Sequence, residues 1–214
     1  MKTLVLISIL VFCLSCNNKN TKTVEKSGHP KEVKKTIYET KIKSDSTVIK
    51  DFLNEVMKEE DILFNGKLKR YFSISEFEEV FGKADSIKLI SEEGPCFSIF
   101  ENKDGSSDME DKYLYKDGSR FENTKDKVAV DKFRFTENNF ILFKGIKLNS
   151  SIPISDLQKI FPNATKSIGN MDVYKEGKLQ VIQLREDENN IYYGYINLFI
   201  KNGKLYFMHW WYPC

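Results

Sequence analysis

Few residues in this chain have the type and spacing for covalent chemistry. There are two histidines, His29 and His209. His29 lies in a polar stretch where nothing orients it. A Ser-His-Asp or Cys-His mechanism would therefore have to use His209. That residue stands in an aromatic run beside Trp210 and near Cys214, where a lone strand histidine is ordinarily structural. The four cysteines, Cys13, Cys16, Cys96 and Cys214, are not spaced for zinc. Asp104, Ser106, Asp108 and Glu110 alternate in an acidic loop that could offer oxygens to Ca²⁺. An EF-hand loop needs Gly at position six and Glu at twelve; here Gly105 is second and Tyr115 twelfth. A solvated hairpin loop fits better, and Glu186-Asp187-Glu188 reads as a solvated turn. A pair of carboxylates for glycoside cleavage would have to meet in three dimensions. No Gly-rich phosphate loop occurs, and no cofactor or metal is expected.

Cys16 carries the clearest chemistry. Met1-Lys2 is a short positive start, Leu4 to Leu14 is apolar but for Ser8, and Asn17-Asn18-Lys19-Asn20 turns abruptly polar. This is the pattern of a cleaved export signal, and it is shorter than the roughly 20 residues of a membrane-spanning helix. Leu14-Ser15-Cys16 resembles the site at which lipoprotein signal peptidase cuts, with Ser15 at −1 and Cys16 at +1. The usual pattern has Leu at −3 and a small residue at −2, where Cys13 and Leu14 stand. Residues 1–15 are expected to be a lipoprotein signal peptide, with lipid on Cys16; an ordinary secretory signal is the alternative. Each buried methylene contributes about 0.8 kcal/mol, so two or three acyl chains anchor the protein without help from the folded part. The expected address is the cell envelope, anchored to a bacterial membrane, with the outer membrane the expected destination. Cys96 and Cys214 then remain in an oxidising compartment. They are expected to form a disulfide, or else to be two separate buried thiols.

The net charge of +2 hides an asymmetry. Residues 17–50 hold nine lysines against four acids, whereas residues 51–214 hold 23 basic against 27 acidic residues. The first stretch has almost no apolar periodicity and cannot bury enough surface to offset ordering, so residues 16–45 read as the lipidated Cys and a flexible tether. Beside anionic lipid a basic tether could lie on the surface; a solvated spacer is the simpler reading. The folded part is not basic, so nucleic acid is not an expected partner.

The elements that must position any site begin with a helical pattern opened by Ser46-Thr47, with Val48, Phe52, Leu53, Val56 and Met57 on one stripe, stopped by Asn65-Gly66. An internal repeat follows. Ile74-Ser75-Glu76-Phe77 through Phe81 and Ala84 recurs at an offset of 80 as Ile154-Ser155-Asp156-Leu157 through Phe161 and Ala164. Ser75 with Glu78, and Ser155 with Gln158, are expected to be capping boxes of two short helices, stopped by Gly82 and Pro162. Strands are expected at 96–101, 112–115, 119–122, 132–136 and 140–143. In the second half they are expected at 171–174, 179–185, 194–200 and 204–212. Asp117-Gly118, Glu176-Gly177 and Asn202-Gly203 mark hairpins. Phe133-Arg134-Phe135 through Phe140 aligns with Leu198-Phe199-Ile200 through Leu205 at offset 65. The expected fold class is α+β, two tandem repeats of a short helix plus an antiparallel β-meander behind a flexible N-terminal tether. Residues 46–145 would hold the first helix and first repeat, and residues 146–214 the second.

A short helix ending in Phe81-Gly82-Lys83-Ala84-Asp85, then antiparallel strands, then Asn202-Gly203-Lys204 before a last strand, resembles the repeat of the SmpA/OmlA outer-membrane lipoproteins. It is also similar to the β-lactamase inhibitory protein type, which holds two such units in tandem. Ser73-Ile74-Ser75 stands where that pattern has a Gly-Met entry to the helix. The resemblance covers the folded part and implies a protein-binding or envelope-assembly module without catalysis.

The last strand is aromatic on both faces. Alternation puts Tyr206, Met208, Trp210 and Tyr212 on one side and Phe207, His209 and Trp211 on the other. One side can be core; the other must be covered or offered to a partner. Tyr206, Met208, Trp210 and Tyr212 are the candidate binding residues. The expected function is a membrane-anchored, non-catalytic scaffold that binds another envelope protein. The alternative is a cell-envelope hydrolase or carbohydrate-active protein whose carboxylates are assembled only in the fold.

Overall fold

The computed structural model describes residues 54–95, 97–189 and 194–212. The signal segment, Cys16, the tether, Cys96 and Cys214 lie outside these, and with them the lipid and disulfide expectations. The first half contains β1 (Ile62–Phe64), β2 (Tyr71–Ser73), helix α1 (Ile74–Phe81), β3 (Ser86–Leu89) and the one-turn α2 (Ile90–Glu93). It continues with β4 (Lys112–Lys116), β5 (Ser119–Thr124), β6 (Lys127–Arg134), β7 (Ile141–Phe143) and β8 (Ile146–Leu148). After α3 (Ile154–Ile160) come β9 (Gly169–Val173), β10 (Gly177–Arg185), β11 (Tyr195–Lys201) and β12 (Lys204–Trp211). The class is α+β, sheet-rich and antiparallel, with short helices. No helix among the described residues is long and apolar enough to cross a membrane.

The large sheet has the strand order β3-β4-β5-β6-β12-β11-β10-β9, with β2 paired to the first half of β6. One four-stranded meander follows α1 and another follows α3. Their last strands, β6 and β12, meet antiparallel at the seam, Phe207 opposite Arg134 and His209 opposite Lys132. A separate small sheet, β1-β7-β8, lies with α1 and α3 against one face of the large sheet. Phe77 and Phe81 from α1, Leu157 from α3, Phe64 and Ile141 from the small sheet, and Phe121, Phe133, Leu198, Met208 and Trp210 from the large one share a single core. The layering follows from patterning: each helix has one apolar stripe and each strand one apolar face, and these bury each other.

The local chemistry differs from expectation in instructive places. Helix α1 does start in a capping box, but its cap is Ser73, whose side chain accepts from Glu76 N–H while Glu76 accepts from Ser73 N–H at 2.8 Å. Ser73 is the last extended residue, so the box falls two positions before Ser75. Helix α3 has Pro153 at its cap and no side-chain cap bond. Proline holds the extended φ there, Ile154 is already helical, and Ser155 is inside the helix. Gly82, with φ +77°, ends α1, and α3 ends just before Pro162. The stripe expected to run to Met57 is not helical in its described part. Met57 N–H donates to the Arg185 carbonyl at 2.9 Å and Arg185 N–H to that of Glu55 at 3.0 Å, so this segment extends alongside β10.

Residues 97–101 form a turn rather than the expected strand. The buried Glu122 carboxylate holds the turn, accepting from Ile99 N–H and Phe100 N–H, each at 3.0 Å, and from Ser98 Oγ. The strand expected at 132–136 begins instead at Lys127. Its preceding turn is made by Lys125 at φ +51°, without the Asn-Gly or Asp-Gly signal that marks the β4–β5 and β11–β12 hairpins. The topology places β6 and β12 side by side at the seam, whereas the offset-65 alignment matches β6 to β11.

Candidate functional site

The helices and the small sheet cover one face of the large sheet; side chains on the other converge on a groove. In β12, Met208 (0% exposed) and Trp210 (2% exposed) point into the core. Phe207, His209 and Trp211 therefore point the other way. Two β-bulges alter the simple alternation. Phe199 pairs with Phe207 but Ile200 pairs with Leu205, which leaves Tyr206 as the extra residue. Arg120 pairs with Lys132 but Phe121 pairs with Val130, which leaves Asp131 extra. Each bulge turns a second consecutive side chain onto the groove face and bends its strand. Tyr206 packs there with Phe207, and Asp131 lies there with Lys132.

The groove has a volume of about 630 Å³. Phe199 and Phe207 stack at its base, ring centroids 4.3 Å apart, joined by Leu179 and Val181 in a second small apolar cluster. Tyr115, Trp211 and Tyr174 line its walls, Tyr174 being 86% exposed in the β9–β10 turn. A smaller hollow of about 210 Å³, bordered by Phe97, Glu122 and Tyr212, shares Glu93, Arg120, His209 and Trp211 with it.

The charges in and beside the groove are arranged in two ways. Asp131 is buried and bound by Arg120 Nε, with His209 Nε2 3.4 Å from its other oxygen. Burial by itself would raise its pKa, but the His209 contact and the Arg120 guanidinium hold it at about 2. It is thus a fixed anion and carries no proton to give as a general acid at neutral pH. Lys88 pairs with Glu93, and Lys201 with Glu176 at 2.9 Å. Lys132 is different. Its Nζ sits 4.4 Å over the Phe207 ring and, among the described residues, has no anion within salt-bridge distance. Desolvation pushes its pKa down, the Arg120 and Arg134 guanidinium groups push the same way, and Glu176 and Asp131 oppose them only in part. Asn197, cross-strand from His209, is wholly buried with neither amide atom hydrogen-bonded.

Comparison with known proteins finds no matching family model, curated protein or solved structure. The site has to be read from its own geometry.

Of the residues singled out in the sequence, Met208 and Trp210 are core and offer no surface to a partner. Trp210 is sealed by the buried Arg70, whose Cζ lies 4.2 Å from the ring and which pairs with Glu59 at 3.2 Å and Glu186 at 3.6 Å. Tyr212 packs against the core edge and donates to Glu186 at 2.8 Å. Tyr206 is moved by the bulge to the groove face, where Arg134 Cζ lies 3.1 Å from its ring centroid and its hydroxyl donates to Glu176 at 2.6 Å. In the acidic loop, Asp104 accepts from Ser106 N–H at 3.0 Å and Asp108 from Glu110 N–H at 3.3 Å, as turn-forming side chains do. Among the described residues no three His, Cys, Asp or Glu side chains cluster as a metal site. The residues that sequence reading missed are Arg120, Asp131 and Lys132. A bulge carries no composition signal, and only the seam between β6 and β12 sets Lys132 over Phe207.

Proposed function

We propose that this chain is a lipid-anchored protein of the bacterial cell envelope that binds another protein in the groove of its large sheet, without catalysis. Lipid on Cys16 supplies the anchor, residues 16–45 the reach, and a Cys96–Cys214 disulfide ties down the C-terminus. The folded part is two tandem copies of helix plus meander, and the strand order, with each meander's last strand at the seam, supports that reading. The observation that carries the function is the ligand-sized groove on the face that the helices leave open, with an aromatic base and walls. Exposed aromatic side chains around a concavity are the usual anchors of protein interfaces.

The anchor is tested by metabolic labelling with palmitate, which wild type should take up and Cys16→Ala should not. Binding is tested by cross-linking and pull-down from native membranes with wild type, Trp211→Ala and Tyr174→Ala. A discrete partner held by wild type and lost by still-folded variants is the expected result. No partner in any sample would overturn the protein-binding reading and favour a glycan ligand or hydrolysis.

A further inference from the structure

Granting that the groove is the binding site, we infer that it recognises a carboxylate carried next to an apolar side chain, as in an acidic-aromatic segment of a partner protein, with Lys132 meeting the carboxylate. Three observations lead there. First, the other basic groups beside the groove base already have company: Arg120 holds Asp131, Lys88 holds Glu93, Lys201 holds Glu176, and Arg134 lies on Tyr206. Lys132 projects a cation over the Phe207 ring at the groove base with no counter-ion among the described residues, whereas Lys175, which also lines the groove without one, lies against the Tyr174 ring at the rim. Second, its surroundings are desolvated, and a charge-assisted hydrogen bond to a carboxylate gains most where water is scarce. Third, the walls are aromatic. Trp211 and Tyr115 stand on either side of the seam, and Tyr174 stands on the rim, so the body next to the carboxylate must be apolar to cover them.

The basic stretch 17–50 has the wrong charge to be this guest, with nine lysines against four acids. The groove also reaches from β3 to β9 and is partly open to solvent, which admits a chain segment as an enclosed cavity would not. Lys132 is thereby a specificity-determining residue: it discriminates Glu from Gln in the guest, because pairing a half-buried cation gains what an amide cannot supply.

The test uses the full-length chain and NMR titration with acetyl-Glu-Phe-amide, acetyl-Gln-Phe-amide and 3-phenylpropionate. The expected result is that the Glu peptide shifts the Phe207, His209 and Trp211 resonances and binds at least tenfold tighter than the Gln peptide. Lys132→Arg should retain that preference and Lys132→Met should abolish it, with melting curves showing both variants folded. Equal affinity for the Glu and Gln peptides, or an unchanged preference in Lys132→Met, would overturn the inference. Binding of 3-phenylpropionate without either peptide would overturn the choice of a peptide guest. The two readings fail separately. A membrane partner held equally by wild type and Lys132→Met leaves the scaffold function standing and removes the carboxylate. Peptide discrimination without any membrane partner does the reverse.

Discussion

The two faces of the large sheet are built from the same strands yet solve different problems. On the core face, Phe121, Val130, Phe133, Leu198, Met208 and Trp210 are apolar side chains buried against other apolar side chains. Arg70 intrudes there, but it arrives with Glu59, Glu186 and the faces of Tyr71 and Trp210 to receive it, while Trp210 Nε1 is buried without a hydrogen-bond partner. On the groove face, aromatic rings alternate with Arg120, Asp131, Lys132 and His209; among the described residues the Lys132 ammonium has no counter-ion and the buried Asn197 amide no hydrogen-bond partner. The first face contributes stability in proportion to the apolar area it removes from water. The second spends some of that stability to keep groups in place that the fold itself does not need, which is how a binding surface differs from a core.

That contrast can be broken most forcefully at adjacent positions of β12. Trp210→Ala should cost about 3–5 kcal/mol in chemical denaturation, the range for emptying a large aromatic site. Trp211→Ala, one residue on and facing the groove, should cost less than about 1 kcal/mol. Similar losses for the two would mean that the faces are not distinct.

A smaller effect is expected at the bound anion. Asp131→Asn leaves the Arg120 guanidinium unpaired and should cost about 2–3 kcal/mol, below the usual range for a broken buried pair because Arg120 is partly reached by water. The pH dependence has a definite sign. The Asp131 pKa is depressed to about 2 from an ordinary 3.8, so its contribution is complete above about 4 and is lost as pH falls toward 2. Acid unfolding of wild type should show this loss, and Asp131→Asn should not.

Gly194→Ala comes next. A Cβ there would lie 2.5 Å from Cε1 and 2.8 Å from Cδ1 of Tyr212, so the ring that borders the smaller hollow must move. A loss of about 1–2 kcal/mol is expected by thermal melting, in the lower range of overpacking costs. If Gly194→Ala melts with wild type, the Tyr212 ring is not held where it lies.

The smallest effect has the opposite direction. Burial holds the Lys132 pKa below its ordinary 10.5, so folding disfavours the charged ammonium. Wild-type stability should therefore rise as pH climbs through that lowered pKa, and Lys132→Met should be more stable than wild type at neutral pH, by a degree or a few of melting temperature. A destabilised Lys132→Met would make Lys132 a structural residue and remove the contrast between the faces at its centre.

Much of the architecture was legible in the chain. Ile74 and Ile154 begin the two helices that the offset-80 repeat marks, and Asp117-Gly118 and Asn202-Gly203 make the turns their positive φ values require. Period-two alternation separated Met208 and Trp210 from Phe207, His209 and Trp211. These are local properties: capping, turn chemistry and periodicity depend on neighbours within a few residues. Which of the two aromatic sides is core was not local. It depends on where α1, α3 and the small sheet come to rest, and Trp210 is core because Phe64 and Arg70, about 140 residues away in sequence, close over it. The bulges at Asp131 and Tyr206 arise from pairing between strands, not from the residues bulged, so alternation misassigned Tyr206. The groove depends on the β6–β12 seam, which joins the two meanders and sets Lys132 opposite His209 and over Phe207. The sequence by itself determined the elements and their apolar faces; long-range strand pairing alone decided which face was left open and which charges met there.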